Sequence, residues 1–183
     1  MFPVKFFSDL SFCCGKIKAV YFYLFAVAEE QVKKRVGIFS LTCDEGCSIY
    51  LTEIFNQKLL GWLERADLVY FLSVKNKTDF SGLDIALVEG VVTSQKDKEE
   101  LEKIRSNARV LIAMGTCAMS ALPSGQRNTF TPEQKEEIRE HTETYGFLPR
   151  ALALKEVVKV DDEIPGCPIS EEIFIKTFER YLT

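Results

Sequence analysis

The stretch Val36-Gly37-Ile38-Phe39-Ser40-Leu41-Thr42-Cys43-Asp44-Glu45-Gly46-Cys47 decides the fold. Its first six residues form a short, mostly apolar run with small residues, a pattern typical of a buried strand. Two cysteines lie in the loop that follows. From Ser48 to about Leu63, apolar residues recur at helical spacing, which predicts the first helix. A buried strand, a cysteine-bearing loop and a helix make the opening unit of an α/β domain.

The same alternation continues toward the C-terminus. We expect further strands over 68–72, 84–88, 109–114 and 157–160, and helices over 96–108, 132–143 and 170–182. Ser94 or Thr93 is the expected N-cap of the second helix, and Ser170 that of the last. Continuous apolar strands that alternate with helices indicate a parallel sheet covered on both faces. Residues 36–183 are therefore predicted to form one doubly wound α/β domain of about five strands.

Composition supports a folded, acidic domain. The 183 residues are 46% hydrophobic and 27% charged, which excludes a disordered or low-complexity chain. The net charge of −4 argues against a nucleic-acid-binding protein, because phosphate binding needs a basic surface. Six cysteines accompany one histidine, His141, so a Cys₂His₂ zinc site is excluded and sulfur chemistry is favoured.

Residues 1–35 differ from the rest of the chain. They contain the adjacent pair Cys13 and Cys14 and an apolar run over 19–28. Ten residues are too few for a helix to cross a bilayer of about 30 Å, so no transmembrane segment is expected there. The segment before the run is not cleanly basic, which argues against an export signal. We interpret 1–35 as an N-terminal extension of doubtful order, or a start assigned too early, with a polar linker over 29–35.

Four cysteines follow the predicted strands. Cys43 and Cys47 come after the first strand, Cys117 after the fourth and Cys167 after the fifth. Open α/β sheets bind ligands at the carboxyl ends of their strands, so we expect these thiols to converge at one edge. Four cysteines can bind either zinc or an iron–sulfur cluster. Because Cys43 and Cys47 alone form a close pair, the dispersed spacing favours a cluster, with a zinc-bound scaffold protein as the alternative.

Four motifs occur in an order that resembles NiFe-hydrogenase small subunits. They are Phe39-Ser40-Leu41-Thr42-Cys43-Asp44-Glu45-Gly46-Cys47, Asp84-Ile85-Ala86-Leu87-Val88-Glu89-Gly90, Gly115-Thr116-Cys117-Ala118 and Ile164-Pro165-Gly166-Cys167-Pro168. The chain looks most similar to the short, cytosolic branch that includes sulfhydrogenase delta subunits. The 20 kDa subunit of NADH:ubiquinone oxidoreductase is a more distant relative. The resemblance covers residues 36–183.

The resemblance implies a flavodoxin-like domain that carries one 4Fe–4S cluster, with Cys43, Cys47, Cys117 and Cys167 as its ligands. It implies an electron-transfer subunit, active with a NiFe-type large subunit and with further flavin- or ferredoxin-like subunits, in the cytoplasm. Nickel would belong to the large subunit, and no catalytic residue is expected in this chain. Glu45 and Glu89 are candidates for proton transfer, or else carboxylates at a helix N-terminus. The alternative within this class is a cluster-bearing subunit of a related, non-hydrogenase oxidoreductase.

Two departures from the family pattern affect the site. The first cysteine pair is commonly Cys-x-x-Cys, whereas this chain has Cys-x₃-Cys, with Asp44 in the usual ligand position. We expect Cys43 to be the ligand and keep an Asp44 carboxylate as the alternative. The Gly-Gly that follows the third cysteine in the family is replaced by Ala121-Leu122. No cysteine follows Cys167, so no further clusters are expected beyond it.

Overall fold

The computed structural model describes residues 32–71 and 81–183. Seven strands and six helices are named here in chain order. The strands are β1 (Lys34–Ser40), β2 (Ala66–Phe71), β3 (Leu83–Glu89), β4 (Val92–Ser94), β5 (Ala108–Met114), β6 (Phe147–Leu152) and β7 (Asp162–Ile164). The helices are α1 (Gly46–Trp62), α2 (Gln95–Asn107), α3 (Thr116–Ser120), α4 (Pro132–Glu137), α5 (Arg139–Thr144) and α6 (Glu171–Tyr181).

Five strands form one parallel sheet in the order β2-β1-β3-β5-β7. Counted along the chain among these five strands, the order is 2-1-3-4-5, the flavodoxin-like order. The connections leave β1 toward one side and β3 toward the other, so the topological switch point lies between them. The predicted α/β fold with a doubly wound parallel sheet is confirmed.

Apolar side chains cover both faces of the sheet. On one face, Ile38 and Ile85 belong to a buried cluster with side chains of α1 and α6, including Phe174 and Phe178. The other face has a separate cluster, in which Leu101 of α2 takes part. Strands buried on two faces have no polar side to expose, which is why β1, β3 and β5 are nearly continuous apolar runs.

The predicted strand over 157–160 is wrong. This valine-rich segment packs, partly buried, against the cluster on the α2 face without pairing with the sheet. The backbone joins the edge of the sheet only at β7, where Asp162 is the register partner of Ile112. An edge strand of three residues needs little apolar side-chain content, so its Asp-Glu-Ile sequence gave no strand signal.

Three smaller differences concern element boundaries. The predicted loop over 89–94 contains β4, which pairs antiparallel with β6. The predicted helix over 132–143 divides into α4 and α5 at Ile138. Strand β1 takes in the last two residues of the predicted linker.

Most of the N-terminal prediction cannot be compared with the structure. Cys13, Cys14 and the apolar run over 19–28 lie outside the described residues, so the extension stays a prediction. None of the helices in the described ranges is long and apolar enough to cross a membrane.

Candidate functional site: a four-cysteine cavity at the switch point

The four predicted site cysteines line one cavity of about 240 Å³ at the carboxyl edge of the sheet. Cys43 follows β1, and Cys167 follows β7. Cys47 lies in the first turn of α1, and Cys117 lies in the first turn of α3. Cys167 is exposed, and the other three are partly buried. The full lining is Cys43, Asp44, Gly46, Cys47, Glu89, Gly90, Met114, Thr116, Cys117, Gly166, Cys167 and Pro168.

Backbone hydrogen bonds tie the loops after β5 and β7 to each other. Gly115 N donates to Ile164 O at 2.8 Å, and Thr116 N donates to Gly166 O at 2.9 Å. In return, Gly166 N donates to the Thr116 hydroxyl at 3.3 Å. These bonds fix the position of Cys117 relative to Cys167, although fifty residues of sequence separate the two.

Gly115 lies against one of the thiols. Its φ of +89° and ψ of 162° fall in a region that is open essentially to glycine alone. A Cβ at this position would lie 2.5 Å from Cys47 Sγ, closer than any real contact. Gly115 therefore permits both the turn from β5 into α3 and the close approach of Cys47.

The thiols of Cys43 and Cys47 are held away from water. Burial raises the pKa of both thiols to about 12, and the nearby Glu89 carboxylate acts in the same direction. Backbone amides act in the opposite direction: Glu45 N donates to Cys43 Sγ at 3.3 Å, and Ile169 N donates to the Cys47 thiol. At neutral pH both groups are protonated thiols, and a coordinated metal would displace their protons.

Cys117 has a polar contact of its own. Its Sγ lies 3.2 Å from Ser124 Oγ, in the loop that follows α3. That loop begins at Ala121, which has a φ of +61°, the left-handed conformation that the family's Gly-Gly would adopt without strain. Ala121 is nevertheless buried there. Cys117 therefore still lines the cavity although Ala121-Leu122 replaces the family's Gly-Gly.

Glu89, at the end of β3, is buried with 2% of its surface exposed. Its Oε1 accepts a hydrogen bond from Ser40 Oγ at 2.7 Å. Its Oε2 accepts from the backbone amides of Cys47 and Ser48, each at 3.2 Å. These amides belong to the N-terminus of α1, where an acidic group interacts favourably with the helix dipole. The geometry thus matches the helix-terminal interpretation of Glu89.

The second predicted carboxylate, Glu45, is exposed and does not line the cavity. It is the N-cap of α1, with a φ of 58°, and makes no side-chain cap hydrogen bond. The neighbouring Asp44 does line the cavity, and its Oδ1 accepts a hydrogen bond from Gly46 N at 3.0 Å. Both predicted candidates for the first ligand, Cys43 and Asp44, are therefore at the cavity.

Four cysteines line the cavity, and four thiolates can hold zinc or an iron–sulfur cluster. Across residues 32–71 and 81–183, no three His, Cys, Asp or Glu side chains form a group that could hold a metal ion. His141 is exposed on α5 and does not line the cavity.

Sequence reasoning missed the polar residues that support these cysteines. Thr116 and Ser124 hydrogen bond within the Cys117 and Cys167 loops, and Thr42 bonds to Asp97 at the start of α2. A partial signal existed for Asp97, because Ser94-x-x-Asp97 has the spacing of a capping box. Its link to Thr42 spans 55 residues and has no sequence signal.

These features define a class of α/β domain that has a flavodoxin-like sheet with four cysteines at its switch-point edge. The family model described as NADH ubiquinone oxidoreductase, 20 Kd subunit, matches residues 43–181. The chain belongs to this family.

Curated relatives agree with the resemblance drawn from the four motifs. The chain is 34% identical over 145 residues to the sulfhydrogenase 2 subunit delta of Pyrococcus furiosus, covering 76% of this chain and 59% of that protein. It is 27% identical over 168 residues to the delta subunit of the NAD-reducing hydrogenase HoxS of Cupriavidus necator, covering 83% of this chain and 80% of that protein. The chain spans about half the length of several of its relatives, the F420-non-reducing hydrogenase G subunits among them. The predicted resemblance is confirmed.

A solved structure has the same fold. A chain in the crystal structure of an NAD⁺-reducing [NiFe]-hydrogenase in the H₂-reduced state superposes with a TM-score of 0.70 at 26% identity. The match covers 82% of this chain and 91% of that chain.

Proposed function

We propose that this chain is the electron-transfer small subunit of a NiFe-hydrogenase-type complex and that Cys43, Cys47, Cys117 and Cys167 hold one 4Fe–4S cluster. The observation that carries the proposal is the convergence of four thiols on one cavity at the switch point. Relatives that are named hydrogenase subunits support the type of complex. When bound, such a cluster supplies reversible one-electron transfer.

The sequence spacing of the cysteines fits a cluster better than zinc. Structural zinc sites are usually built from two close Cys-x₂₋₄-Cys pairs. Among the four proposed ligands only Cys43 and Cys47 form a close pair, whereas Cys117 and Cys167 come from loops far away in sequence. The zinc-bound scaffold is thus the weaker alternative.

The chain's own residues orient and protect the proposed ligands. Glu89 holds the amide of Cys47, and the paired loops after β5 and β7 hold Cys117 and Cys167. Partial burial of three of the cysteines limits access of water to the cavity. A role of Glu45 and Glu89 in proton transfer stays a prediction, with Glu89 at the cavity and Glu45 outside its lining.

We propose a NiFe-type large subunit as the partner at this edge, with flavin- or ferredoxin-like subunits as further electron carriers. Nickel would be held by the large subunit and not by this chain. The support for a partner comes from the relatives, which are named as subunits of hydrogenases. The electron would pass between the partner's NiFe site and a redox acceptor by way of the cluster.

A second function is favoured by the family model itself. Its description names the 20 Kd subunit of NADH ubiquinone oxidoreductase, which is not a hydrogenase. The corresponding proposal for this chain is a cluster subunit of a related oxidoreductase. The two functions differ in the partner subunit and not in the cysteine site.

Anaerobic reconstitution of the full chain with ferrous iron and sulfide tests the site. We expect four irons per chain and a broad visible absorbance band. Cys47→Ser, Cys117→Ser and Cys167→Ser should each prevent full incorporation, whereas Cys13→Ser and Cys14→Ser are matched controls that should not. Stoichiometric zinc without iron would overturn the cluster, and normal iron content in Cys117→Ser would overturn the ligand set.

A separate experiment tests the complex. The chain should co-purify with a large subunit that carries N- and C-terminal Cys-x-x-Cys pairs, and hydrogen-dependent dye reduction should require both proteins. A loaded chain that binds a partner lacking those pairs would instead support the non-hydrogenase oxidoreductase.

A further inference from the structure

Thr42, the residue before Cys43, is held by two parts of the chain that lie far away in sequence. Its carbonyl oxygen accepts a hydrogen bond from Val91 N at 3.0 Å. Its hydroxyl donates to Asp97 Oδ2 at 3.0 Å and lies 2.8 Å from Thr93 Oγ1. The start of α2 is thus bonded to the loop that carries the first proposed ligand.

Asp97 is itself fixed in place. Its Oδ2 accepts hydrogen bonds from Thr93 N at 2.8 Å and Ser94 N at 3.1 Å. In the reciprocal half of the capping box, Asp97 N donates to Ser94 Oγ at 3.1 Å. Burial alone would raise the pKa of Asp97, but the hydrogen bonds from Thr93, Thr42 and Ser94 outweigh burial and lower it. The carboxylate is therefore charged and accepts hydrogen bonds at neutral pH.

The hydroxyl protons allow one consistent arrangement. Thr42 and Thr93 each lie within hydrogen-bond distance of Asp97 Oδ2 and of each other. Two hydroxyls carry two protons, so two of these three contacts can be hydrogen bonds, and a carboxylate oxygen can only accept. Asp97 Oδ2 already accepts the backbone amides of Thr93 and Ser94, so one hydroxyl donates to it and the other hydroxyl donates across the contact between Thr42 and Thr93. Asp97 is then the common anchor of Thr42 and Thr93.

The backbone around Thr42 is equally restricted. Gly90 has a φ of +88°, and a Cβ there would lie 3.0 Å from the carbonyl carbon of Leu41 and from Thr42 O. A side chain at position 90 would therefore push the strand end away from Val91. Glycine at this point lets the backbone of Thr42 pair with Val91 while its side chain reaches Asp97.

We propose that Asp97 is a positioning residue for Cys43, acting through the hydroxyl of Thr42. The bond fixes the end of β1 so that Cys43 enters the cavity together with Cys47, despite the additional residue in the Cys-x₃-Cys spacing. This inference rests on the proposed cluster site and adds to it the reason why the first ligand keeps its position. Groups that hydrogen bond directly to a metal ligand typically change metal affinity about 10–100-fold when they are removed, and we expect an effect near the lower end for Asp97, which acts one residue further away.

Four variants of the full chain test the inference after anaerobic reconstitution. Thr42→Val removes the hydroxyl at nearly constant volume, and Asp97→Ala removes the anchor. Thr42→Ser keeps the hydroxyl and should rescue, whereas Thr131→Ala removes the capping box of another helix, α4, and does not involve Thr42 or Asp97. We expect Thr42→Val and Asp97→Ala to release iron to a chelator about 10-fold faster or more. One-electron oxidation of these samples with ferricyanide should then give a three-iron signal in the electron paramagnetic resonance spectrum. Thr42→Ser and Thr131→Ala should behave like the wild type.

Hydrogen exchange of the cluster-free chain separates the inference from the proposed function. In Thr42→Val and Asp97→Ala, the amide of Val91, which donates to Thr42 O, should exchange faster than in Thr131→Ala. A wild-type chain that takes up no iron would refute the cluster, and the exchange result would still decide the positioning role. Exchange and iron release that match the wild type in Thr42→Val would overturn the inference.

Discussion

Replacing Gly115 with alanine should impair the cysteine site more than it impairs folding. The backbone at this position, with φ +89° and ψ 162°, costs a residue other than glycine about 1–3 kcal/mol. The added methyl group would lie 2.5 Å from Cys47 Sγ, so the thiol must also rotate away or the loop must move. We expect Gly115→Ala to lower the free energy of unfolding by about 1–3 kcal/mol and to lower iron incorporation sharply.

Gly146→Ala is the matched control. Gly146 also has a positive φ, +65°, but a Cβ there meets nothing within 4 Å. Its substitution should cost about 1–2 kcal/mol from the backbone alone and leave iron incorporation unchanged. Chemical denaturation followed by circular dichroism measures the stability of both variants, and iron and sulfide analysis after anaerobic reconstitution measures loading. Four irons with an unchanged spectrum in Gly115→Ala would show that Cys47 does not need its present position.

Two further predictions concern the buried carboxylate of Glu89 and the partly buried carboxylate of Asp161. Glu89→Gln can keep the hydrogen bonds to Ser40 and α1 while it removes a negative charge beside the cavity, so the reduction potential of the reconstituted cluster should rise. An unchanged potential in a visible redox titration would show that no charge is carried at position 89. Burial would raise the pKa of Asp161, but hydrogen bonds from Leu111, Lys159 and Arg105 lower it to about 2. The stabilising effect of this carboxylate on the fold is therefore complete above pH 4 and disappears as the pH falls toward 2. Asp161→Asn should therefore be about 1 kcal/mol less stable than the wild type at pH 7, after allowance for solvent screening. In denaturant titrations this loss of stability should shrink below pH 4. The exposed control Glu140→Gln should show no loss of stability.

Sequence patterns predicted the parts of the fold that depend on burial. The apolar runs of β1, β3 and β5 are central strands, and Ser94 and Ser170 cap the helices expected of them. The pattern failed where the chain leaves the central sheet. The valines over 157–160 are partly buried by packing on a sheet face, and periodicity cannot distinguish that burial from the burial of a strand. Strand β7 is defined by its pairing with β5, and the sequence of its three residues alone does not indicate that tertiary contact.

The candidate site could be predicted only as far as its cysteines. Their positions after strand ends were enough to bring Cys43, Cys47, Cys117 and Cys167 to one cavity, because parallel strands end at a common edge. The supporting contacts were not predictable. Glu89 reaches the amide of Cys47 across 42 residues, and Thr116 reaches Gly166 across 50. Each depends on which strands are neighbours, and a sequence without a known topology does not specify that.

The sequence alone also does not decide whether Cys43 or Asp44 is the first ligand. The structure supplies an argument for that choice. Local geometry does not separate them, since Cys43 Sγ and Asp44 Oδ1 each accept a hydrogen bond from the amide two residues further on. Their surroundings do differ. Asp44 is exposed, where a carboxylate is stable in water, whereas the partly buried Cys43 thiol has a pKa raised to about 12. Iron–sulfur clusters are held by cysteine thiolates, so the type of ligand favours Cys43, and binding of the proposed cluster would displace the proton of this thiol. In the positioning role proposed for Asp97, its hydrogen bond with Thr42 holds this thiol at the cavity across 55 residues of sequence.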